Sequence, residues 1–278
     1  MRKMLNLQEC IIRLATEADT DDLLAIARGI WGGSDYLPKI LPRWLSEPYF
    51  FVCEYHGRAI ACIKLSLFPD HVLWFEGLRV LHRYQGKGVG SLMNREMFRF
   101  ASQLKAKDPL LQFEFCTYYQ NVESLHLTEK LGFRKVQGFY ALDKHGIKRQ
   151  AQPKIIEDYD MALFTDFPNY IPCGWQTVHN HPDSLSFIKE RITVFETDQA
   201  RYYVGGLTEK SIALLSPPPK DIKAELPFFQ SFFPPLKRYG IIVPTGYKRY
   251  LGKLHNAGFK FWDNESKPVE NMLVLRKD

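Results

Sequence analysis

Long hydrophobic runs, cysteine and charge of one sign are all scarce in this sequence, and each shortage removes a class of protein. No window approaches the ~20 apolar residues that a membrane-spanning helix needs. Residues 1–10 have neither the apolar core nor the small-residue cleavage pattern of a signal peptide. The five cysteines, Cys10, Cys53, Cys62, Cys116 and Cys173, form no CxxC pair and sit mainly in apolar runs. An odd number of core-type thiols excludes a disulfide scaffold and fits a reducing compartment. Together these absences predict a soluble cytoplasmic protein without a membrane partner. Lysine plus arginine (37) barely exceeds aspartate plus glutamate (31), and no block of like charge occurs, so no nucleic-acid arm is expected. His179 and His181 lie close together, but in a proline-rich loop without supporting ligands, so no metal site is expected. Neither a Ser-His-Asp arrangement nor a phosphate loop ending in GK[ST] is present.

What the sequence does contain is one stretch around which the rest is organised: Arg83-Tyr84-Gln85-Gly86-Lys87-Gly88-Val89-Gly90-Ser91. An apolar extended run over 72–80 precedes it, and Leu92, Met93, Met97, Phe100 and Leu104 follow at helical spacing. Strand, glycine-rich turn and helix make an anion cradle: glycine tolerates positive φ, and the unpaired amides at a helix start point at phosphate oxygens.

Around that stretch the pattern alternates. Residues 11–14 read as a strand, and Thr16 or Asp19 opens a helix that carries Leu23, Ile26 and Ile30 and stops at Gly32-Gly33. A short helix is expected over 40–45, then a hairpin of strands 50–55 and 59–67 turning at His56-Gly57-Arg58. After the glycine turn come a helix to Leu104, a strand over 110–117, a helix from Asn121 to its Gly132 stop, and a strand over 133–142. A last strand of this unit is expected over 159–164. The fold class is therefore mixed α/β (α+β), with a mostly antiparallel sheet and helices on both faces. Pro168, Pro172 and Pro182 suggest a boundary, giving domains 1–165 and 166–278. Beyond it, a helix over 185–192, strands over 202–205, 211–215, 241–244 and 272–275, and a helix over 247–256 are expected. Prolines 217–219 and 234–235 mark loops. The segment ending Leu131-Gly132-Phe133 is echoed by the one ending Ala257-Gly258-Phe259, each a helix stop running into a strand.

The run Gly77-Leu78-Arg79-Val80 … Gln85-Gly86-Lys87-Gly88-Val89-Gly90-Ser91 resembles the acetyl-CoA-binding motif of the GNAT N-acetyltransferase superfamily. Asn121-x-x-Ser124 … Glu129-Lys130-Leu131-Gly132-Phe133 resembles that family's later motif, at the expected distance. The resemblance covers about 12–142 and implies an acetyl-CoA-dependent N-acetyltransferase. It assigns Leu78 and Val80 to backbone contacts with the pantetheine arm. Gln85, Gly86, Lys87, Gly88, Val89, Gly90 and Ser91, with Arg83, go to the pyrophosphate, and Asn121 and Ser124 to the pantetheine. Glycine in a strand costs stability unless it marks a bulge, so Gly77 is expected to be one. Glu76, a carboxylate inside an apolar strand, is the candidate general base. The family often has a tyrosine as general acid where this chain has Thr128, whose hydroxyl is far too weak an acid. Tyr118, Tyr119 and Tyr140 are the phenols that remain.

The loop Gly32-Gly33-Ser34-Asp35-Tyr36-Leu37-Pro38 is similar to that of histidine N-acetyltransferases and their relatives, which acetylate the α-amine of a free amino acid. On this resemblance Trp31, Asp35, Tyr36 and Arg79 line the acceptor site. Asp35 would meet an ammonium or imidazole and Arg79 a carboxylate. The acceptor is then a small-molecule amine. Acetylation of a protein N-terminus or lysine, and a CoA-binding module with lapsed catalysis, are the competing readings. The C-terminal part reads as a diverged half of the same fold or as a homodimerisation element.

Overall fold

The structure, a computed structural model, describes residues 5–207, 209–215, 218–262 and 268–278, and of Trp31 the backbone only. It divides into two compact units, Met1–Phe115 with Asp278, and Cys116–Lys277.

The first unit runs β1 (Ile11–Leu14), α1 (Thr20–Arg28), α2 (Leu37–Ser46), β2 (Phe50–Tyr55), β3 (Arg58–Phe68), β4 (Val72–Val80), α3 (Val89–Lys105) and the start of β5 (Gln112–Tyr118). Asp19 opens α1 by taking the Thr16 amide at 2.8 Å, and Arg13 clamps its carboxylate. His56 and Gly57 both have positive φ, which suits the tight turn between β2 and β3. α2 starts three residues earlier than expected, because Asp35 accepts from the Leu37 amide at 3.0 Å and Pro38 fits the first helical turn. The strand order is β1-β2-β3-β4-β5, antiparallel except for β4 and β5, which α3 joins as parallel neighbours. Leu23, Ile26, Leu37, Trp44, Phe50 and Val52 pack as the core between α1, α2 and the sheet.

The second unit runs from the end of β5 through α4 (Val122–Glu129), β6 (Arg134–Lys144), β7 (Lys154–Ile156), β8 (Tyr170–Cys173), β9 (Gln176–His179), α5 (Leu185–Arg191) and β10 (Ile192–Glu196). It continues with β11 (Arg201–Gly205), β12 (Ser211–Leu214), α6 (Ile222–Gln230), β13 (Tyr239–Val243), α7 (Leu251–Asn256) and β14 (Met272–Lys277). Its sheet order is β14-β6-β13-β12-β11-β10-β7, again antiparallel but for one pair, β12 and β13, joined through α6. β8 and β9 form a separate hairpin. The expected fold class, mixed α/β with a mostly antiparallel sheet, is the observed one. The boundary expected near residue 165 lies inside the second unit, where β6 hydrogen-bonds to β13 and β14 from beyond it.

The sequence echo has a structural counterpart. Phe133 N–H donates to Thr128 O at 3.1 Å, and Phe259 N–H donates to Leu254 O at 3.0 Å. Both helix ends pass through a left-handed glycine, Gly132 or Gly258, and bury the phenylalanine. Each follows a parallel strand-helix-strand crossover.

Three expectations are corrected. Residues 159–164 hold a 3₁₀ turn, Met161–Phe164, because the Asp160 carboxylate accepts from the Ala162 amide at 2.9 Å and starts a helix. The helix expected over 247–256 is a 3₁₀ segment, Thr245–Tyr250, followed by α7. α6 was not expected, since Pro227 stands inside it and prolines precede it. Of the loop prolines, Pro217 lies outside the described residues.

Candidate functional site

The first unit places the chemistry on β4. Cys62 pairs with Arg79 and Lys64 with Glu76, so Gly77 and Leu78 together face the single residue Ile63. This is the bulge expected at Gly77, whose φ is +71°. A Cβ there would lie 2.5 Å from Cη2 of Trp44, so bulge and indole require glycine together. Gly77→Ala is expected to lower stability by about 1–3 kcal/mol, read as a lower urea midpoint; an unchanged midpoint would show that the bulge relaxes freely. On its other side β4 pairs with β5 only from Val72 to Trp74. The remainder of β4, including Leu78 and Val80, extends past that ladder.

The chain then makes a 3₁₀ turn, His82–Tyr84, and enters α3 through Gly86 (φ +68°) and Gly88 (φ +84°). Only at Leu92 does an amide reach back, to Gly88 O at 2.9 Å, so the Val89, Gly90 and Ser91 amides precede the helical ladder. Apart from its chain neighbours, no heavy atom of the described residues lies within 4 Å of where a Cβ on Gly86 would stand. Arg83 and Lys87 are exposed and flank the Tyr84 ring, with the guanidinium 5.0 Å and the ammonium 5.8 Å from its centroid. An open turn with bare amides and two cations fits a pyrophosphate. Two assigned residues behave differently. Gln85 donates its side-chain amide to Val80 O at 3.0 Å, bracing the turn against its own strand. Val89 is buried, which leaves its backbone as the available part.

Glu76 lies on β4 next to the Gly77 bulge, opposite Lys64. Ser66 Oγ donates to its Oε1 at 2.8 Å, and cross-strand Lys64 is buried with its ammonium on Pro48 O (2.6 Å) and Leu65 O (3.1 Å). Burial pulls the Lys64 pKa down, while Glu47 and Glu76 push it back up. Ser66 and Lys64 escaped sequence reasoning; a lysine inside an apolar strand opposite a glutamate was the available signal.

Asp35 and Arg79, expected to meet the acceptor separately, hold each other. Arg79 Nε donates to Oδ2 at 2.5 Å and Nη2 to Oδ1 at 2.6 Å, with side chains 4% and 1% exposed. Each charge is neutralised by its partner, which removes the reason for either to seek an ion on the acceptor. The guanidinium lies 4.6 Å from the Tyr36 ring centroid, and Trp44 meets that ring edge-on. Burial pushes the Tyr36 phenol up to about 12, against the opposing pull of Arg79. The Trp31 side chain lies outside the described residues.

In the second unit Asn121 caps α4, accepting from the Ser124 amide at 3.4 Å and donating to Thr117 Oγ1 at 3.2 Å. Thr128 donates its hydroxyl to Ser124 O (2.7 Å) and Leu125 O (3.2 Å), so it serves the helix backbone and no reacting group. Tyr140 is 4% exposed in the core, and burial raises its phenol; it is too enclosed to be the acid expected of it. Tyr118, at the end of β5, is part-exposed. All five cysteines are free; burial holds Cys53, Cys62 and Cys173 up to about 12, which keeps those thiols protonated and poorly nucleophilic.

Residues 20–133, which contain the bulge, the turn and α3, match the model of the acetyltransferase (GNAT) family. Over this segment the chain is similar to the GNAT acetyltransferase family. It is 30% identical over 139 residues to histidine N-acetyltransferase of Oreochromis niloticus, covering 48% of this chain and 37% of that protein. It is 33% identical over 138 residues to the Homo sapiens protein named Probable N-acetyltransferase 16, covering 48% and 34%. The chain thus spans little more than a third of the length of these relatives. The fold of nearly the whole chain is similar to a GCN5-related N-acetyltransferase from Sphaerobacter thermophilus, with TM-score 0.59 and 14% identity over 97% of this chain and 95% of that one.

Proposed function

We propose that the protein is an acetyl-CoA-dependent N-acetyltransferase acting on the amine of a small molecule, a free amino acid such as histidine. The observation that carries this is the bulged β4 leading through two left-handed glycines into bare amides at the start of α3. Acetyl-CoA supplies an activated thioester. The Val89, Gly90 and Ser91 amides, with Arg83 and Lys87, hold its pyrophosphate, and Leu78 in the bulge offers its backbone to the pantetheine arm. Asn121 and Ser124 are assigned to the same arm by the family motif. Glu76, oriented by Ser66, takes the proton from the acceptor ammonium, directly or through one water, and the neutral amine then attacks the thioester carbonyl. Tyr118 is the phenol we assign to protonate the leaving thiolate, with its neighbour Tyr119 as the alternative. Attack is direct, since burial keeps the core thiols protonated. Tyr36, held by Arg79 and Asp35, walls the acceptor. Relatives named histidine N-acetyltransferase support the amino-acid acceptor. Five free thiols support a reducing, cytoplasmic setting.

The test is thiol release from acetyl-CoA across free amino acids, polyamines and peptides, with histidine in the panel. Saturable release with an amino acid is expected; release with peptides alone would transfer the reading to protein acetylation, and none would end it.

Residues 166–278 we read as part of a diverged copy of the same half-fold that no longer takes the cofactor. The crossover β12–α6–β13 supports the copy. Where the first half has glycines, Pro218 and Pro219 lack amide donors, and the Asp221 carboxylate already caps α6 by accepting from the Lys223 amide at 2.9 Å. Titration calorimetry should find one acetyl-CoA per chain; two would refute the lapsed site.

A further inference from the structure

An aromatic row stands in the second unit, and of its rings only Tyr118 has a role above. Tyr119, Tyr118, Trp262 and Trp175 follow one another at ring-centroid distances of 5.1, 5.5 and 5.0 Å. The rings come from three remote segments, and each segment is pinned by its backbone. Tyr119 N–H donates to Asn271 O at 3.0 Å, and Asn121 N–H donates to Tyr118 O at 2.9 Å. Lys260 exchanges two 2.8 Å backbone hydrogen bonds with Asp143, two residues before Trp262. Trp175 sits in the β8–β9 turn, where Gly174 lies so close to the backbone of Gly206 and Glu209 that a Cβ would stand 2.5 Å from Glu209 O. Tyr203 ties that hairpin down by donating to Pro172 O at 2.8 Å.

So much anchoring would be unnecessary for rings that merely fill a core, and these do not fill one. Phe259 and Phe261 beside the row are 0% and 3% exposed, whereas Trp262 is 40% exposed. Leaving so much indole in water forfeits burial energy that its neighbours gain. Asp143 stands close to the Trp262 indole, and its carboxylate also meets Arg238 Nε at 3.0 Å. A carboxylate beside the indole adds negative potential there. Trp175, Trp262 and Tyr118 are tilted by 36–37°, so neighbours share faces more than edges. Such a surface selects flat, electron-poor or cationic π systems.

We infer that Trp262 and Trp175 are a binding platform for a planar nitrogen heterocycle. Imidazole of a free amino acid and adenine of a nucleotide share that chemistry, and the experiment separates them. The platform lies wholly in the second unit and does not rest on the acetyl-transfer reading. The full chain carrying Trp31→Phe, which removes the tryptophan expected at the acceptor site, is titrated with L-histidine, with adenosine and with L-alanine, reading tryptophan fluorescence; Trp44 and Trp74 are buried and serve as the background. Saturable quenching by histidine or adenosine but not alanine is expected, and whichever acts identifies the source. Trp262→Ala and Trp175→Ala should each weaken that binding by about 3- to 10-fold, and Trp262→Phe should restore part of it. Circular dichroism establishes that the variants fold. Heteronuclear NMR of the indole N–H groups gives a second readout should a folded variant lose its emission change. Equal response to alanine, no response to any of the three, or wild-type affinity in both alanine variants would overturn the platform.

Discussion

Glu76→Gln should bind acetyl-CoA with unchanged affinity while turnover at neutral pH falls by about 10²- to 10⁴-fold. Glutamine keeps the shape of the side chain and can still accept from Ser66 Oγ, now 2.8 Å from Oε1. It cannot accept a proton, so what is lost is the base and not the architecture. The affinity arm matters because Glu76 is next to Gly77, and a variant that disturbed the bulge would lose cofactor as well. Calorimetric affinity and thiol-release kcat are therefore measured together. Ser66→Ala serves as the graded control: it leaves the carboxylate but removes its orienting donor, and a loss well below that of Glu76→Gln is expected. Retained kcat in Glu76→Gln would remove the residue from the mechanism, and a parallel collapse of both quantities would make it structural.

The second large effect concerns stability. Asp35→Leu removes the carboxylate paired with the buried Arg79 guanidinium, since Nε and Nη2 lose their acceptors together and Nη1 has no hydrogen-bond acceptor among the described residues to begin with. Removing one partner of a buried pair costs about 3–5 kcal/mol, whereas replacing both by apolar groups is close to neutral. Asp35→Leu should therefore unfold at much lower urea, and Asp35→Leu combined with Arg79→Met should recover most of the loss. The comparison isolates the uncompensated charge from the lost cap on Leu37, because both variants lack that cap. If the double variant is no better than the single, the cap and the packing against Tyr36 carry the stability, and the ion pair does not.

These two residues also mark how far the sequence reaches. Its local statements held because local geometry enforces them. Gly86 and Gly88 take left-handed φ before a helix whether or not anything packs on them. Gly77 had to be a bulge because a strand gains nothing from a glycine elsewhere. The Asn121 cap and the Gly132-Phe133 stop are satisfied within a few residues. The alternating pattern determined the order of strands and helices up to β6 for the same reason, since period-two and period-3.6 burial need no knowledge of the partner surface.

Only the tertiary structure decided what lies across from what. Asp35 and Arg79 are distant in sequence, and nothing in either segment says that a loop carboxylate will swing under a strand arginine; the pairing exists because both are carried to one buried point behind Tyr36. Tyr140 read as a candidate acid until the β13 and β14 neighbours of β6 enclosed it. β7 to β10 and α6 carry weak local signals, with prolines at or inside them, and they are ordered by the sheet and core they complete. The sequence by itself thus determined the glycine turn and the bulge. Burial, which depends on the whole chain, decided which charged and phenolic groups are left to do chemistry.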